Sequence, residues 1–203
     1  MPETSLSTLP ELYVSRHGQT DWNAEGRLQG QVEVPLNALG RAQAQRNGRY
    51  LRNVLGDRAK AFRFLASPLG RASETMRIIR AELGLDRDDF ATDDRLVELN
   101  FGGWGGSTMA EVATFDADGI KRRKADKWAF VPPGDGAESY ALLAERARPV
   151  FEAITEPTIL VAHGGITRSF LALYTGLAGQ EAARIEIPQD RILHVANGHT
   201  AWV

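Results

Sequence analysis

The chain has 203 residues, of which 43% are hydrophobic and 25% charged, enough for a buried core and a cleft within one domain spanning residues 1–203. Its formal net charge is −2 at pH 7, so no general positive field would attract nucleic acid or an anionic membrane, and we expect neither as a partner. The absence of cysteine excludes disulfides, zinc–thiolate sites and cysteine nucleophiles.

The N-terminal residues 1–11 are polar and lack the basic start and apolar stretch of a signal peptide. No uncharged apolar run approaches the length of a transmembrane helix. Together with the lack of cysteine, this favours a cytoplasmic protein.

Short apolar segments alternate with helical patterns, which predicts a layered α/β fold with a largely parallel sheet. Helices are expected between Asn37 and Gly56, with Ala44 and Gly48 on a narrow face suited to close packing, and from Ser67-Pro68 to Gly84. Further helices are expected within 107–127, around 140–154 and at 166–173. Strands are expected at residues 12–15, 62–66, 95–99, 158–162, 192–195 and 200–203.

Two of the predicted strands end in histidine and glycine. The first is followed by Arg16-His17-Gly18, and the strand at 158–162 by His163-Gly164-Gly165. Ligands of open parallel sheets bind beyond the carboxyl ends of the strands. If these strands are neighbours, two imidazoles lie together at one crevice.

Two arginines belong to the same edge of the predicted sheet. Arg71 lies in the first turn of a helix, where backbone N–H groups already favour an anion, and Arg16 precedes His17. Planar guanidinium groups suit phosphate oxygens. With no metal ligands evident in the sequence, two arginines and two histidines indicate a phosphoryl-transfer site that needs no metal and no cofactor.

An ordered series of motifs covers most of the chain. The motifs and their order along the chain resemble those of the histidine phosphatase (phosphoglycerate mutase-like) superfamily. The motifs are Arg16-His17-Gly18-Gln19-Thr20-Asp21-Trp22-Asn23, Arg27-Leu28-Gln29-Gly30, Pro35-Leu36-Asn37-Ala38-Leu39-Gly40, Ser67-Pro68-Leu69-Gly70-Arg71-Ala72-Ser73-Glu74-Thr75, Leu96-Val97-Glu98-Leu99-Asn100-Phe101-Gly102, Glu138-Ser139-Tyr140 and His163-Gly164-Gly165.

The resemblance implies a three-layer α/β/α sandwich with a mostly parallel central sheet. It also implies that His17 is the nucleophile that becomes phosphorylated. Glu98 would protonate the leaving alkoxide and then deprotonate the attacking water, so we expect a slightly acidic optimum for poor leaving groups. The remaining site residues would bind the substrate or its phosphoryl oxygens; they are Arg16, Asn23, Gln29, Gly30, Arg71, His163 and Gly164.

The segment after Glu98 departs from the family pattern. Many members carry Trp-Glu-Gly or a similar triplet, whereas this chain has Trp104-Gly105-Gly106. The missing carboxylate bears on the substrate class, and Asp21 and Glu138 are the alternative acids. The basic run Lys121-Arg122-Arg123-Lys124 is interpreted as a solvated helix face, with recognition of a second anionic group on the substrate as the alternative.

The leading functional hypothesis is a phosphatase that hydrolyses a small-molecule phosphomonoester. The first alternative is a phosphoglycerate mutase with the same phosphohistidine chemistry, which we disfavour because a chain of 203 residues leaves little room for segments that exclude water. The second is a non-catalytic phosphate-binding module, which would usually have lost a catalytic group. A homodimer formed through an exposed edge strand is a further expectation.

Overall fold

The structure, a computed structural model, describes residues 6–203. Residues 1–5, on which part of the signal-peptide argument rests, lie outside the described residues. One sheet is formed by β1 (Leu12–Arg16), β2 (Arg63–Ala66), β3 (Ala91–Thr92), β4 (Thr158–Ala162), β5 (Ile192–Ala196) and β6 (His199–Trp202). The strand order is β3-β2-β4-β1-β5-β6, and the first four strands are parallel while β5 and β6 are antiparallel. The predicted, mostly parallel sheet is confirmed.

Helices cover both faces of this sheet. They are α1 (Asp21–Ala24), α2 (Ala38–Leu55), α3 (Gly70–Glu82), α4 (Met109–Phe115), α5 (Ala117–Ala125), α6 (Tyr140–Glu152), α7 (Gly164–Tyr174) and α8 (Gly179–Ala182). Short 3-10 helices occur at Leu6–Thr8, Gly56–Ala61, Asp94–Leu96 and Gly102–Trp104. Within residues 6–203, none of the helices combines the length and apolar character that a membrane crossing requires.

The central strands divide their side chains between two cores, because successive residues of a strand point to opposite faces. On one face, Leu12, Val14 and Leu160 pack with buried side chains of α6 and α7. On the other, Tyr13 and Ile159 pack with α2 and α3. This arrangement confirms the three-layer α/β/α sandwich.

The close packing predicted for α2 is present. Asn37 caps the helix, its side-chain oxygen accepting a hydrogen bond from Gly40 N at 2.9 Å. A Cβ atom added at Gly48 would lie 2.7 Å from Cβ of Glu82 in α3. The two helices can therefore approach only because this position has no side chain.

The strand predicted at Arg95 to Leu99 is wrong. Asp93 closes a 3-10 turn there, because its carboxylate accepts hydrogen bonds from the Arg95 backbone at 2.9 Å and from the Arg95 guanidinium at 2.6 Å. The strand next to β2 is instead the short β3, which pairs Ala91 with Leu65. Leu96, in the 3-10 turn, and Leu99, in the following loop, are buried in the core, so the segment has the apolar content of a short strand without being one.

Three predicted helix boundaries also need correction. Ser67 does not start α3: its N–H donates to Val161 O at 2.9 Å, which continues the strand ladder, and the helix begins at Gly70. The last long helix, α7, begins at Gly164 rather than at residue 166. The segment 107–127 forms two helices, because Asp116 ends α4 and its carboxylate caps α5 through Gly119 N at 2.8 Å.

Candidate active site

The carboxyl ends of three parallel strands meet at one edge of the sheet. His17 directly follows β1, and its N–H donates to Ala162 O, the last residue of β4, at 2.9 Å. His163 directly follows β4, and Ser67 directly follows β2. Because β1, β4 and β2 are adjacent, these three side chains gather at the end of the sheet.

His17 is held in one tautomer by its own loop. The ring is 2% exposed, and its Nδ1 lies 2.8 Å from Gly18 O. Since a carbonyl oxygen only accepts hydrogen bonds, Nδ1 carries the proton of the neutral ring and Nε2 keeps its lone pair. Burial, followed by the charges of Arg16 and Arg71, lowers the pKa of His17 well below its ordinary value. The ring is therefore neutral and nucleophilic at physiological pH.

The second histidine lies against the first. The ring centroids of His17 and His163 are 5.1 Å apart. Nε2 of His163 is 2.8 Å from Ser67 Oγ, while its buried Nδ1 has no hydrogen-bond partner among residues 6–203. Burial, and after it the charge of Arg71, lowers the pKa of His163 well below the ordinary value. A buried nitrogen without a partner at this position needs a polar atom that a ligand can provide.

The guanidinium of Arg16 carries a positive charge and has a hydrogen-bond donor without a partner in the described residues. One terminal nitrogen donates to Ile187 O at 3.0 Å, whereas its buried Nε has no partner within the described residues. Burial, opposed by the charge of Glu98 and assisted by those of Arg168 and Arg71, lowers the pKa of Arg16 to about 10. The guanidinium therefore stays positive at neutral pH and has hydrogen-bonding capacity to offer an anion.

Arg71 is fixed by the loop opposite α3. Its terminal nitrogens donate to Gly30 O at 2.6 Å and Val32 O at 2.8 Å. The Gln29 amide is oriented so that its nitrogen donates to Thr20 Oγ1, and its oxygen then accepts a hydrogen bond from Nε of Arg71 at 3.2 Å. Gly30 adopts a φ of +54°, and a Cβ there would lie 3.1 Å from Leu99 O, so glycine suits this turn.

Glu98 reaches the site from the loop after β3. Its carboxylate accepts hydrogen bonds from Gly165 N, at 3.1 and 3.2 Å, and from Leu99 N at 2.9 Å. Gly165 lies in the first turn of α7, where the helix dipole favours a carboxylate. This contact links the predicted acid to the segment that carries His163.

These groups surround a cavity of about 220 Å³. It brings together most of the residues predicted from the sequence, while His163 is fully buried next to His17 and is not among the lining residues. The lining residues are Arg16, His17, Asn23, Arg27, Leu28, Gln29, Gly30, Arg71, Glu98, Phe101, Arg123, Lys127, Tyr140, Gly164 and Arg168.

The two alternative acids lie elsewhere. Asp21 is exposed at the start of α1. Glu138 forms an ion pair with Arg146, at 2.8 Å to both Nε and Nη2, and accepts from Asn100 N. Neither lines the cavity, so Glu98 is the acid that geometry favours.

Sequence reasoning did not assign Arg27, Lys127, Tyr140 or Arg168 to the site, although all four line the cavity. Arg27 and Tyr140 belong to family-like motifs, and that membership is the signal that could have pointed to them. Lys127 and Arg168 carry no local signal, since a basic residue in a polar segment or on a helix usually faces solvent.

The unusual Gly105 lies outside the cavity wall. It is exposed, and its N–H donates to Gly102 O at 3.1 Å. The neighbouring Trp104 is fully buried, and its Nε1 donates to Asp116 at 3.0 Å. The missing carboxylate therefore changes an exposed turn. In the part of the chain that the structure describes, no group of three or more His, Cys, Asp or Glu side chains could hold a metal ion.

Comparisons with known proteins agree with this architecture. The chain is 33% identical over 174 residues to glucosyl-3-phosphoglycerate phosphatase of Mycobacterium tuberculosis, covering 79% of this chain and 73% of that protein. It is 31% identical over 212 residues to 2,3-bisphosphoglycerate-dependent phosphoglycerate mutase of Bifidobacterium longum, covering 88% and 82%. The solved structure of a mycobacterial glucosyl-3-phosphoglycerate phosphatase complexed with VO3 matches with a TM-score of 0.73 and 30% identity, covering 96% of both chains.

The family model of the histidine phosphatase superfamily (branch 1) matches residues 12–203. That range includes the whole sheet and every residue of the cavity wall. The chain therefore belongs to branch 1 of the histidine phosphatase superfamily.

Proposed function

We propose that this chain is a metal-independent phosphatase that hydrolyses a small-molecule phosphomonoester through a phosphohistidine on His17. The observation that carries the proposal is the fixed tautomer of His17. Gly18 O holds Nδ1 at 2.8 Å, which leaves Nε2 unprotonated beside Arg16 and Arg71. A neutral imidazole with a free lone pair among guanidinium groups is suited to attack a phosphorus atom.

In the first step, Nε2 of His17 attacks the phosphorus in line with the ester oxygen. The N–P bond forms as the P–O bond breaks, and the electron pair of that bond leaves with the alkoxide. Glu98, protonated at this stage, transfers its proton to the alkoxide and releases the alcohol. Its presence in the wall of the same cavity supports this role.

In the second step, water attacks the phosphohistidine. The Glu98 carboxylate accepts a proton from this water, a new P–O bond forms, and the N–P bond returns its electron pair to Nε2 of His17. Inorganic phosphate leaves, and Glu98 is again protonated for the next cycle.

The remaining site residues bind and orient the phosphoryl group. Arg16 has an unpartnered Nε and Arg71 is held by a carbonyl cradle, so both can offer N–H groups as negative charge builds on the phosphoryl oxygens. The unpartnered Nδ1 of His163 is the third such group. Asn23, Gln29, Gly30 and Gly164 complete the substrate-facing wall.

The test is phosphate release from p-nitrophenyl phosphate and alkyl phosphates in the presence of EDTA. Wild type should turn over and His17→Ala should not, while quenching of wild type in alkaline denaturant should trap phosphate in a linkage that is stable in base and lost on later treatment with acid. Phosphate release that persists in His17→Ala would overturn the proposal. A normal circular dichroism spectrum of the variant would show that loss of activity is not loss of fold.

A mutase is the second candidate, because one relative with 31% identity is a phosphoglycerate mutase. The same phosphohistidine would then return its phosphoryl group to the product rather than to water. Conversion of 3-phosphoglycerate to 2-phosphoglycerate without free phosphate would establish the mutase. Phosphate binding without turnover of any ester would instead indicate a binding module. We also propose a cytoplasmic location, on the basis of the sequence composition.

A further inference from the structure

The cavity wall carries more positive charge than one phosphoryl group requires. Six of its residues are basic and one, Glu98, is acidic. Arg27 is neutralised by ion pairs with Glu25 at 2.6 Å and Glu111 at 2.8 Å. Arg16 and Arg71 line the cavity together with His17 and are assigned to the phosphoryl group in the proposed function. Three further cations remain, and they are Arg123, Lys127 and Arg168.

These three cations lack acidic partners. Within residues 6–203, none of them forms an ion pair with a carboxylate. Lys127 Nζ donates to Ala183 O, and Arg168 donates to Ile185 O at 2.9 Å and to the Tyr140 hydroxyl at 3.4 Å. Their bonds go to neutral oxygens, which leaves the positive charges uncompensated.

The side chains are held in place rather than free in solvent. Lys127 Nζ lies 5.6 Å and the Arg168 guanidinium carbon 5.8 Å from the centroid of the Tyr140 ring, and Tyr140 itself is buried. Arg123 is half-buried, whereas the neighbouring Arg122 and Lys124 are exposed. Of the basic run in α5, Arg123 is therefore the residue that turns toward the cavity.

The three cations repel one another. Burial and the charges of Arg168, Arg123 and Arg184 lower the pKa of Lys127 to about 8. Burial and the charge of Arg168 also lower the pKa of Arg123. Positively charged side chains that are held together despite their mutual repulsion are usual at binding sites, where a ligand of opposite charge relieves that repulsion.

The cation group adjoins the phosphoryl site. A Cβ atom added at Gly164 would lie 3.1 Å from Nη1 of Arg168 and 3.7 Å from Nε of Arg16. The two guanidinium groups thus flank the same point of the backbone. An anion bound by Arg168 would be separated from the phosphoryl group by only a short chain of atoms.

We propose that Arg123, Lys127 and Arg168 form a second anion subsite, and that the substrate is a small phosphomonoester carrying a second anionic group, a carboxylate or phosphate. This inference rests on the proposed function, since it names the substrate class of the same cavity. It also corrects the expectation that the basic run is only a solvated face, because Arg123 lines the cavity.

The experiment compares two substrate pairs that differ in the second group. They are 3-phosphoglycerate against glycerol 3-phosphate, and fructose 1,6-bisphosphate against fructose 6-phosphate. In wild type, kcat/KM for phosphate release should be about tenfold or more higher for the compound with the second anionic group in at least one pair. In Arg123→Met/Lys127→Met that preference should fall by at least about tenfold. Lys124→Met, which removes an exposed charge from the same helix, should retain the wild-type preference.

Two results separate failure of the subsite from failure of the phosphatase. If p-nitrophenyl phosphate is hydrolysed but neither pair shows a preference, the subsite is wrong and the phosphatase stands. If nothing is hydrolysed, calorimetric binding of the same four compounds to wild type decides. Tighter binding of a compound with the second anionic group, lost in the double variant, supports the subsite without catalysis. Equal binding within both pairs overturns it.

Discussion

The carboxylate of Glu98 is bound by the backbone N–H of Gly165, at 3.1 Å to one oxygen and 3.2 Å to the other. This contact joins the loop after β3 to the first turn of α7, the helix that directly follows His163. The proposed acid is thereby placed in the cavity by the same helix start that carries the second histidine. The position of Glu98 therefore depends on α7 as well as on the neighbouring Leu99 N, which donates to the same carboxylate at 2.9 Å.

Gly165→Ala should move Glu98. The added Cβ would collide with Oε1 of Glu98 and lie 2.7 Å from a methyl group of Leu143. We expect kcat on glycerol 3-phosphate to fall by about tenfold or more, with a smaller loss on p-nitrophenyl phosphate, whose leaving group needs little protonation. Phosphate release measures both. Phe151→Leu, a core change away from the cavity, should show no such difference between substrates, and an equal loss on both substrates in Gly165→Ala would contradict this role.

Glu98→Gln should remove acid–base catalysis and retain the shape of the side chain. General acid–base groups contribute about 10²–10⁴-fold, so kcat on alkyl phosphates should fall by that factor. The slightly acidic optimum on these substrates should disappear as well. Rate–pH profiles on a series of esters with different leaving-group pKa values provide the measurement. Wild-type rates for Glu98→Gln on alkyl esters would assign the acid to another residue.

Ser67→Ala should release His163 from its hydroxyl partner. Leaving a buried imidazole nitrogen unpaired costs about 1–3 kcal/mol of the free energy of unfolding, and we expect kcat to fall with it because the ring loses its orientation. Ser169→Ala is the matched control: Ser169 is also buried, but its hydroxyl has no partner among the described residues, so its loss should change stability by less than about 0.5 kcal/mol. Urea denaturation and steady-state kinetics of both variants test the difference.

Stability should decline in mild acid. The pKa values of His17 and His163 are lowered in the folded protein, so below about pH 6.5 the unfolded state binds more protons than the folded state. The free energy of unfolding should fall by up to about 1.4 kcal/mol per pH unit for each histidine as pH decreases from about 6.5. Urea denaturation between about pH 5 and 7 measures the slope, which His163→Gln should reduce by about half. A flat profile across this range would contradict the lowered pKa values.

Preference for the second anionic group should weaken in alkali. Lys127, facing Arg123, Arg168, Arg184 and the Tyr140 ring, has a pKa of about 8 and loses its charge as pH rises through that value. The ratio of kcat/KM for 3-phosphoglycerate to that for glycerol 3-phosphate should therefore fall above about pH 8, where the phosphate groups of both compounds are already dianions. In Lys127→Met this fall should be absent, and a ratio that is independent of pH in wild type would exclude a role for Lys127.

Local patterns in the sequence were sufficient for much of the fold. Apolar runs such as 158–162 predicted the buried central strands, and the histidines after β1 and β4 were expected at one edge because parallel strands end together. The error at Arg95 to Leu99 shows the limit of such patterns. A short apolar segment can resemble a strand in sequence, and here Asp93 closes a turn instead.

The sequence by itself thus determined the layered α/β fold, the order of the motifs and the candidate residues around His17, because strand ends and helix starts are local signals. Only the tertiary structure decided that Arg123 faces the cavity while Lys124 does not, and that Lys127 and Arg168 join it. Lys127 and Arg168 are directed by packing against Tyr140 and by contacts with backbone oxygens distant in sequence. No local pattern encodes such contacts, since they exist only once α5, α6 and α7 have packed together.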